Sequence, residues 1–181
     1  MEEGDRAISF RAFVHQHEAA VRAFVARRAR DGLVDDAVQE AFLVTWERFD
    51  HVVDHVDPSL HRAWVSKVAV NVLRHHYRTD GRRGKREDRV VADPTSALAV
   101  SRTVAGDPDR LEQRDGVDAM LAGLSDDDRQ LVLAAVWDDF TSAELAELVG
   151  CSEAAARKRL SRAMARLRSL RDATVGEVGA P

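Results

Sequence analysis

Seven positive side chains crowd twenty residues near the C-terminal end of this chain. Between Ser152 and Arg171 stand Arg157, Lys158, Arg159, Arg162, Arg166, Arg168 and Arg171 against one acid, Glu153, a net charge of +6. Cations at that density bind phosphate, and an arginine held against a base edge can pair bidentately with guanine. A second basic set lies upstream. Lys67, Asn71, Arg74 and Arg78 follow one another at spacings of four, three and four, so they line one face of a helix, and Arg82, Arg83, Lys85 and Arg86 extend the charge. An amide among cations, with Trp64 and Tyr77 nearby, suits phosphate contact and stacking on a single strand. Either set alone reads as a solvated face; two in one chain favour nucleic acid.

A third group has the opposite character. Asp36, Gln39, Glu40, Leu43 and Glu47 fall off the apolar stripe of their helix, which leaves Leu43 and part of Trp46 exposed among acids. An apolar residue rimmed by charge is a protein-docking pattern. The overall charge of −4 conceals this division. Residues 31–57 carry eight acids and one base, residues 62–86 eight bases and one acid, and residues 87–128 eleven acids and four bases. Such blocks say more about partners than the total does.

Other chemistry finds little support. There is no Gly-rich phosphate loop, nucleophile elbow or HExxH pattern, so no enzyme is expected. His51, His55 and His61 with Asp54 and Asp57 form the best metal-ligand cluster among seven histidines. With no cysteine nearby and a loop context, their spacing is of a kind that arises by chance, and neither a metal site nor a cofactor is expected. Asp126, Asp127 and Asp128 open a helix, where acids favour the dipole and need no catalytic explanation.

The elements that must position these groups are helical. Alternating β-branched runs are few, and Ala, Arg, Val, Leu, Asp and Glu dominate. Phe10, Phe13, Val14, His17, Val21, Phe24 and Val25 predict an amphipathic helix ended by Gly32. A second helix spans about Asp35–Phe49, with Val38, Ala41, Phe42, Thr45 and Phe49 inward. A loop with Pro58 is expected over 50–60, then a helix over His61–Thr79 with Trp64, Val65, Val68, Ala69, Val72 and His76 inward. From residue 80, Gly81, Gly84, Pro94, Gly106 and Pro108 punctuate a flexible, acidic stretch with one short turn near Ala97–Thr103. A helix over Arg110–Ala122 opens a second domain. There, Thr141 or Ser142 caps a helix to Val149, Gly150 supplies a left-handed turn, and Ser152 caps the basic helix to about Leu170. Ala156, Leu160, Ala163 and Leu167 make its buried stripe. Helix, tight turn and basic helix form a helix-turn-helix able to enter a major groove. The fold expected is all-α: two small helical domains at 8–83 and 108–171, a linker at 84–107 and a tail at 172–181.

One cysteine, Cys151, excludes an internal disulfide and suits a reducing cytoplasm. No apolar run approaches the roughly 18 residues of a membrane span, and the acidic first residues are unlike a signal peptide.

Together, VDDAVQEAFLVTWERF, HRAWVSKVAVNVLRHHYRTDGRR, an acidic linker with proline and LSDDDRQLVLAAVWDDFTSAELAELVGCSEAAARKRLSRAMARLR closely resemble bacterial sigma factors of the extracytoplasmic-function group, which contain region 2 and region 4. The resemblance covers residues 8–83 and 108–171. It implies a polymerase-docking role on the β′ clamp helices for Asp36, Gln39, Glu40, Leu43 and Trp46. It implies −10 DNA contacts for Lys67, Asn71, Arg74, Arg78 and Arg82, with 50–60 as the base-capture loop, and −35 contacts for Arg157, Lys158, Ser161 and Arg162. It also implies core RNA polymerase, including its β subunit, promoter DNA and an anti-sigma factor as partners, and a free monomer without membrane insertion. Three departures from the family pattern bear on promoter sequence: Ala155-Ala156 in place of Thr and a β-branched residue, Ser125 in place of proline, and Asp54 and Asp57 in a loop without aromatics. The rival readings are a helix-turn-helix regulator acting without polymerase, a hydrolase built on the histidines, and an adaptor that sequesters a partner. The first leaves the 35–49 helix unexplained, the second requires stoichiometric metal, and the two basic faces argue against the third.

Overall fold

The computed structural model describes residues 3–30, 32–87 and 120–178, with side chains described through 79 in the first part of the chain and through 172 in the second. The chain folds as two units, one within residues 1–102 and one within 103–181. Among the described residues every regular element is helical, and no helix is long and apolar enough to cross a membrane.

The first unit packs α1 (Glu3–Ala26), α2 (Val34–Glu47), α3 (Phe49–His55), a 3₁₀ turn (Pro58–Leu60) and α4 (His61–Glu87). Its core joins Val21, Phe24 and Val25 of α1 to Ala37, Val38, Ala41 and Phe42 of α2, Phe49 and Val52 of α3, and Val65, Ala69, Val72 and Leu73 of α4, all buried. Each large side chain so buried stabilises the unit by roughly 1.5–3 kcal/mol. The end of α1 is tied down by polar groups. Arg28 is buried with its guanidinium 3.5 Å from the Phe24 ring centre, and its Nη1 donates to the Phe24 carbonyl at 2.9 Å. Tyr77 of α4 donates its hydroxyl to the Arg28 carbonyl at 3.2 Å and accepts from the Arg30 amide at 3.1 Å. Gly32 then turns the chain at φ +84°, and Arg22 of α1 pairs with Asp35 in the first turn of α2.

Several boundaries differ from the sequence expectation; α1 stops at Ala26, ahead of Gly32, and α2 at Glu47, ahead of Phe49. Residues 50–60 are not a loop: after a break at Arg48 the chain forms α3 and then the 3₁₀ turn. Phe49, Val52 and Val56 recur at helical spacing, and burial of the first two outweighs the His and Asp content that reads as loop. The α4 backbone also continues past Thr79 to Glu87, because an interior glycine costs a helix only about 1 kcal/mol and does not by itself end one. The turn expected at Ala97–Thr103 lies outside the described residues, as does most of the Arg110–Ala122 helix, of which residues 120–122 are helical.

The second unit contains α5 (Asp126–Trp137), α6 (Ser142–Val149) and α7 (Glu153–Val178), the last running into the stretch read as a tail. Each start is capped. Ser125 accepts from the Asp128 amide at 3.3 Å, with three acids in the first turn of α5. Thr141 and Glu144 form a reciprocal capping box at α6. Ser152 accepts from the Ala155 amide at 3.3 Å. Between α6 and α7, Gly150 takes φ 72°, ψ 45°, and the amides of Gly150 and Cys151 both donate to the Ala146 carbonyl. Leu121, Leu124, Leu131, Leu133, Leu145, Leu148, Ala156 and Ala163 form the core.

Candidate functional site

The capped turn sets the rotation of α7, and one face of that helix is consumed by the core. Ala156 is 0% exposed and Ala163 4%, while Leu160 and Leu167 are half-buried beside them. Arg157, Lys158, Ser161 and Arg162 are consequently all exposed, on the N-terminal half that follows the turn. Arg157 is steadied by Glu153 one turn back, at 3.3 Å. Arg159 is different: it reaches across to α5, with its guanidinium 3.0 Å from Asp128 and 3.6 Å from Asp127. One of the seven cations therefore holds the fold, which a count along the sequence does not reveal. Arg168 and Arg171 stand beside a groove of about 250 Å³ lined by Val132, Val136, Trp137 and Leu167. The sequence reading missed this groove, although Val136 and Trp137 are 53% and 43% exposed; the only signal was two large apolar residues at the end of α5.

On α4, Asn71 and Arg78 are exposed and Lys67 and Arg74 half-buried, so the four expected residues share a face. The structure adds His75, exposed one turn from Asn71. Its neighbour His76 points elsewhere: it is half-buried and its Nε2 lies 2.7 Å from Oε2 of Glu40 on α2. Tyr77, read as an aromatic available for stacking, is occupied at the end of α1, with Arg30 over its ring. The side chain of Arg82 lies outside the described residues.

On α2, Asp36, Gln39 and Leu43 are exposed, Leu43 by 59%, and Glu40 is half-exposed beside them. Trp46 has one side committed to packing. Phe10 meets it edge-on with ring centres 5.0 Å apart, and the Arg6 guanidinium sits 4.1 Å above it.

The acids of the α3 segment lose much of their oddity. Asp50 faces Arg6 at 3.2 Å. Asp57 accepts from the Ser59 amide at 2.8 Å and hydroxyl at 2.6 Å, and these bonds hold its carboxyl below the usual range. His51 and His55 lie side by side on α3, ring centres 4.9 Å apart, but His61 instead accompanies Phe13 and His17. Among the described residues no three ligating side chains gather around a metal position. His17 is buried, its Nε2 has no hydrogen-bond partner among the described residues, and burial pushes its pKa below the ordinary 6.5, with the charges of His61 and Arg62 acting in the same direction.

The first unit is helical with a basic stripe on α4, and the second is a helix-turn-helix unit with a basic exposed face on α7. Residues 13–83 match the family described as Sigma-70 region 2, and residues 114–167 match Sigma-70, region 4. The RNA polymerase sigma factor CnrH of Cupriavidus metallidurans is 30% identical over 148 residues, covering 77% of this chain and 74% of CnrH. The probable RNA polymerase sigma factor RfaY of Xanthomonas campestris is 30% identical over 141 residues, covering 75% of this chain; the chain spans 33% of that protein's length. Among solved structures, sigma factor RpoE of Bartonella quintana, in complex with the anti-sigma factor NepR, shares the fold with a TM-score of 0.62 at 23% identity over 91% of this chain and 97% of that one. CnrH in complex with the cytosolic domain of CnrY gives a TM-score of 0.57 at 25% identity, covering 92% and 90%. The chain belongs to the extracytoplasmic-function sigma factors, with region 2 and region 4. It is an RNA polymerase sigma factor for promoter recognition and transcription initiation, a family that works without catalysis of its own.

Proposed function

We propose that the faces described above divide that work as follows. The α2 face of Asp36, Gln39, Glu40 and Leu43, with the open edge of Trp46, docks on the β′ clamp helices of core polymerase. The α4 stripe of Lys67, Asn71, Arg74, Arg78 and Arg82, with α3 beside it, holds the melted −10 strand. Arg157, Lys158, Ser161 and Arg162 read the −35 duplex. The working divisions are 8–83, a linker at 84–107 that passes through the polymerase channel, 108–171, and a tail at 172–181. The β subunit of core polymerase is a further partner, and an anti-sigma factor holds the free monomer in the cytoplasm until induction.

The observation that carries this reading is Leu43. A leucine 59% exposed among acids, on a helix whose opposite side is buried, leaves most of its apolar surface unused by its own unit. Docking gives it one. Mechanistically, the protein works by binding energy: the −35 face anchors duplex while the α4 stripe and α3 capture bases, offsetting an unstacking cost of a few kcal/mol per step. Without polymerase to set the spacing of the two DNA faces, the free protein binds promoter duplex weakly and with steep salt dependence. The test is run-off transcription with purified core polymerase, paired with duplex binding by the free protein. Promoter-dependent transcripts together with weak free binding support the reading. Nanomolar, sequence-specific binding by the free protein at physiological salt refutes it.

A further inference from the structure

We infer that His76 is a positioning residue for polymerase docking, acting through Glu40; this rests on the proposal that the α2 face docks. The two adjacent histidines of α4 do different things. His75 lies in the exposed stripe with Asn71 and Arg78, whereas His76 turns to α2 and places its Nε2 2.7 Å from Glu40 Oε2. A carboxylate oxygen only accepts, so Nε2 carries the proton and donates. Glu40 stands one turn from both Asp36 and Leu43, at the border between the buried stripe of α2 and its exposed face. A half-exposed glutamate with no partner has several rotamers of similar energy, and a partner surface that needs one of them must order it on binding. The bond from His76 makes that choice before polymerase arrives. It also adds a polar tie between the α2 face and α4, at the edge of the core the two helices share.

The role separates from packing because half-buried His76 can be replaced in two ways. His76→Ala removes the donor. His76→Gln keeps an amide donor near the position of Nε2. Affinity for purified bacterial core polymerase should fall about three- to tenfold in His76→Ala, the cost of ordering one long side chain. It should recover in His76→Gln, with thermal melts unchanged enough to leave the protein folded at the assay temperature. In a Glu40→Ala background, His76→Ala should add nothing, since its target is gone. Leu43→Arg serves as the reference for docking itself. If Leu43→Arg binds polymerase normally, the docking reading fails and this inference with it. If Leu43→Arg weakens binding but His76→Ala does not, or if His76→Ala weakens binding equally without Glu40, the docking face stands and the positioning role is refuted.

Discussion

Leu43 and Phe42 are neighbours on α2 with opposite consequences on mutation. Phe42 is 7% exposed and sits in the core of the first unit, so Phe42→Ala should cost about 3–5 kcal/mol of folding stability. Leu43 is 59% exposed, and Leu43→Ala should leave stability within about 0.5 kcal/mol of the parent. Its effect should appear on binding. Burying a whole leucine is worth about 1.5–3 kcal/mol, and a little over half of this side chain remains to be buried by a partner. The loss expected on docking is therefore about 1–2 kcal/mol, or roughly five- to thirtyfold in Kd. Leu43→Arg should cost more, because it places a charge into an interface that desolvates it. The assay is a titration of labelled protein with purified core polymerase, run beside thermal denaturation of the same samples. A Kd for Leu43→Ala within twofold of the parent, with an unchanged melt, would show that this side chain faces solvent in the complex as well.

Three further outcomes are expected. Arg157→Ala and Arg162→Ala should relax selection at the −35 element by about 1–3 kcal/mol per lost guanine pair, while Arg168→Ala, beside the apolar groove, should not change sequence preference; transcription from a promoter library reads both, and the reverse pattern would mean the helix docks in another register. Asp139 occupies the left-handed region at φ 51° in the turn before α6, so Asp139→Gly should stabilise the second unit by up to about 1 kcal/mol in thermal melts, and a lowered midpoint would show that the aspartate side chain is itself stabilising. His17 is buried, and burial holds its pKa below 6.5, so the unfolded chain takes up its proton first as pH falls; the first unit should lose stability below about pH 6.5, down to the lowered pKa, and in denaturation melts across that range His17→Leu should flatten the profile.

Much of this arrangement is readable from residue types. Thr141, Glu144, Gly150 and Ser152 act on their own backbone within a few residues, so the capped turn of the second unit follows from local chemistry alone. The apolar periods of α1, α2 and α7 show which faces go inward, and through α7 they expose Arg157, Lys158, Ser161 and Arg162. The α3 segment was harder. Its helix is worth only seven residues of backbone bonding, and it exists because Phe49 and Val52 find a buried place among side chains far away in sequence.

The helical class, the caps and the charge of each face follow from neighbours within one or two turns, and the two-unit division from the long acidic stretch punctuated by glycine and proline between the units. Which polar side chains are spent on the fold is settled only by packing between helices. Arg159 goes to Asp128, Tyr77 goes to the end of α1, Asp50 goes to Arg6, and His76 parts from His75 to meet Glu40. Helical spacing says where a side chain leaves its own helix. Whether a partner waits there depends on another helix, whose rotation and distance are set by packing.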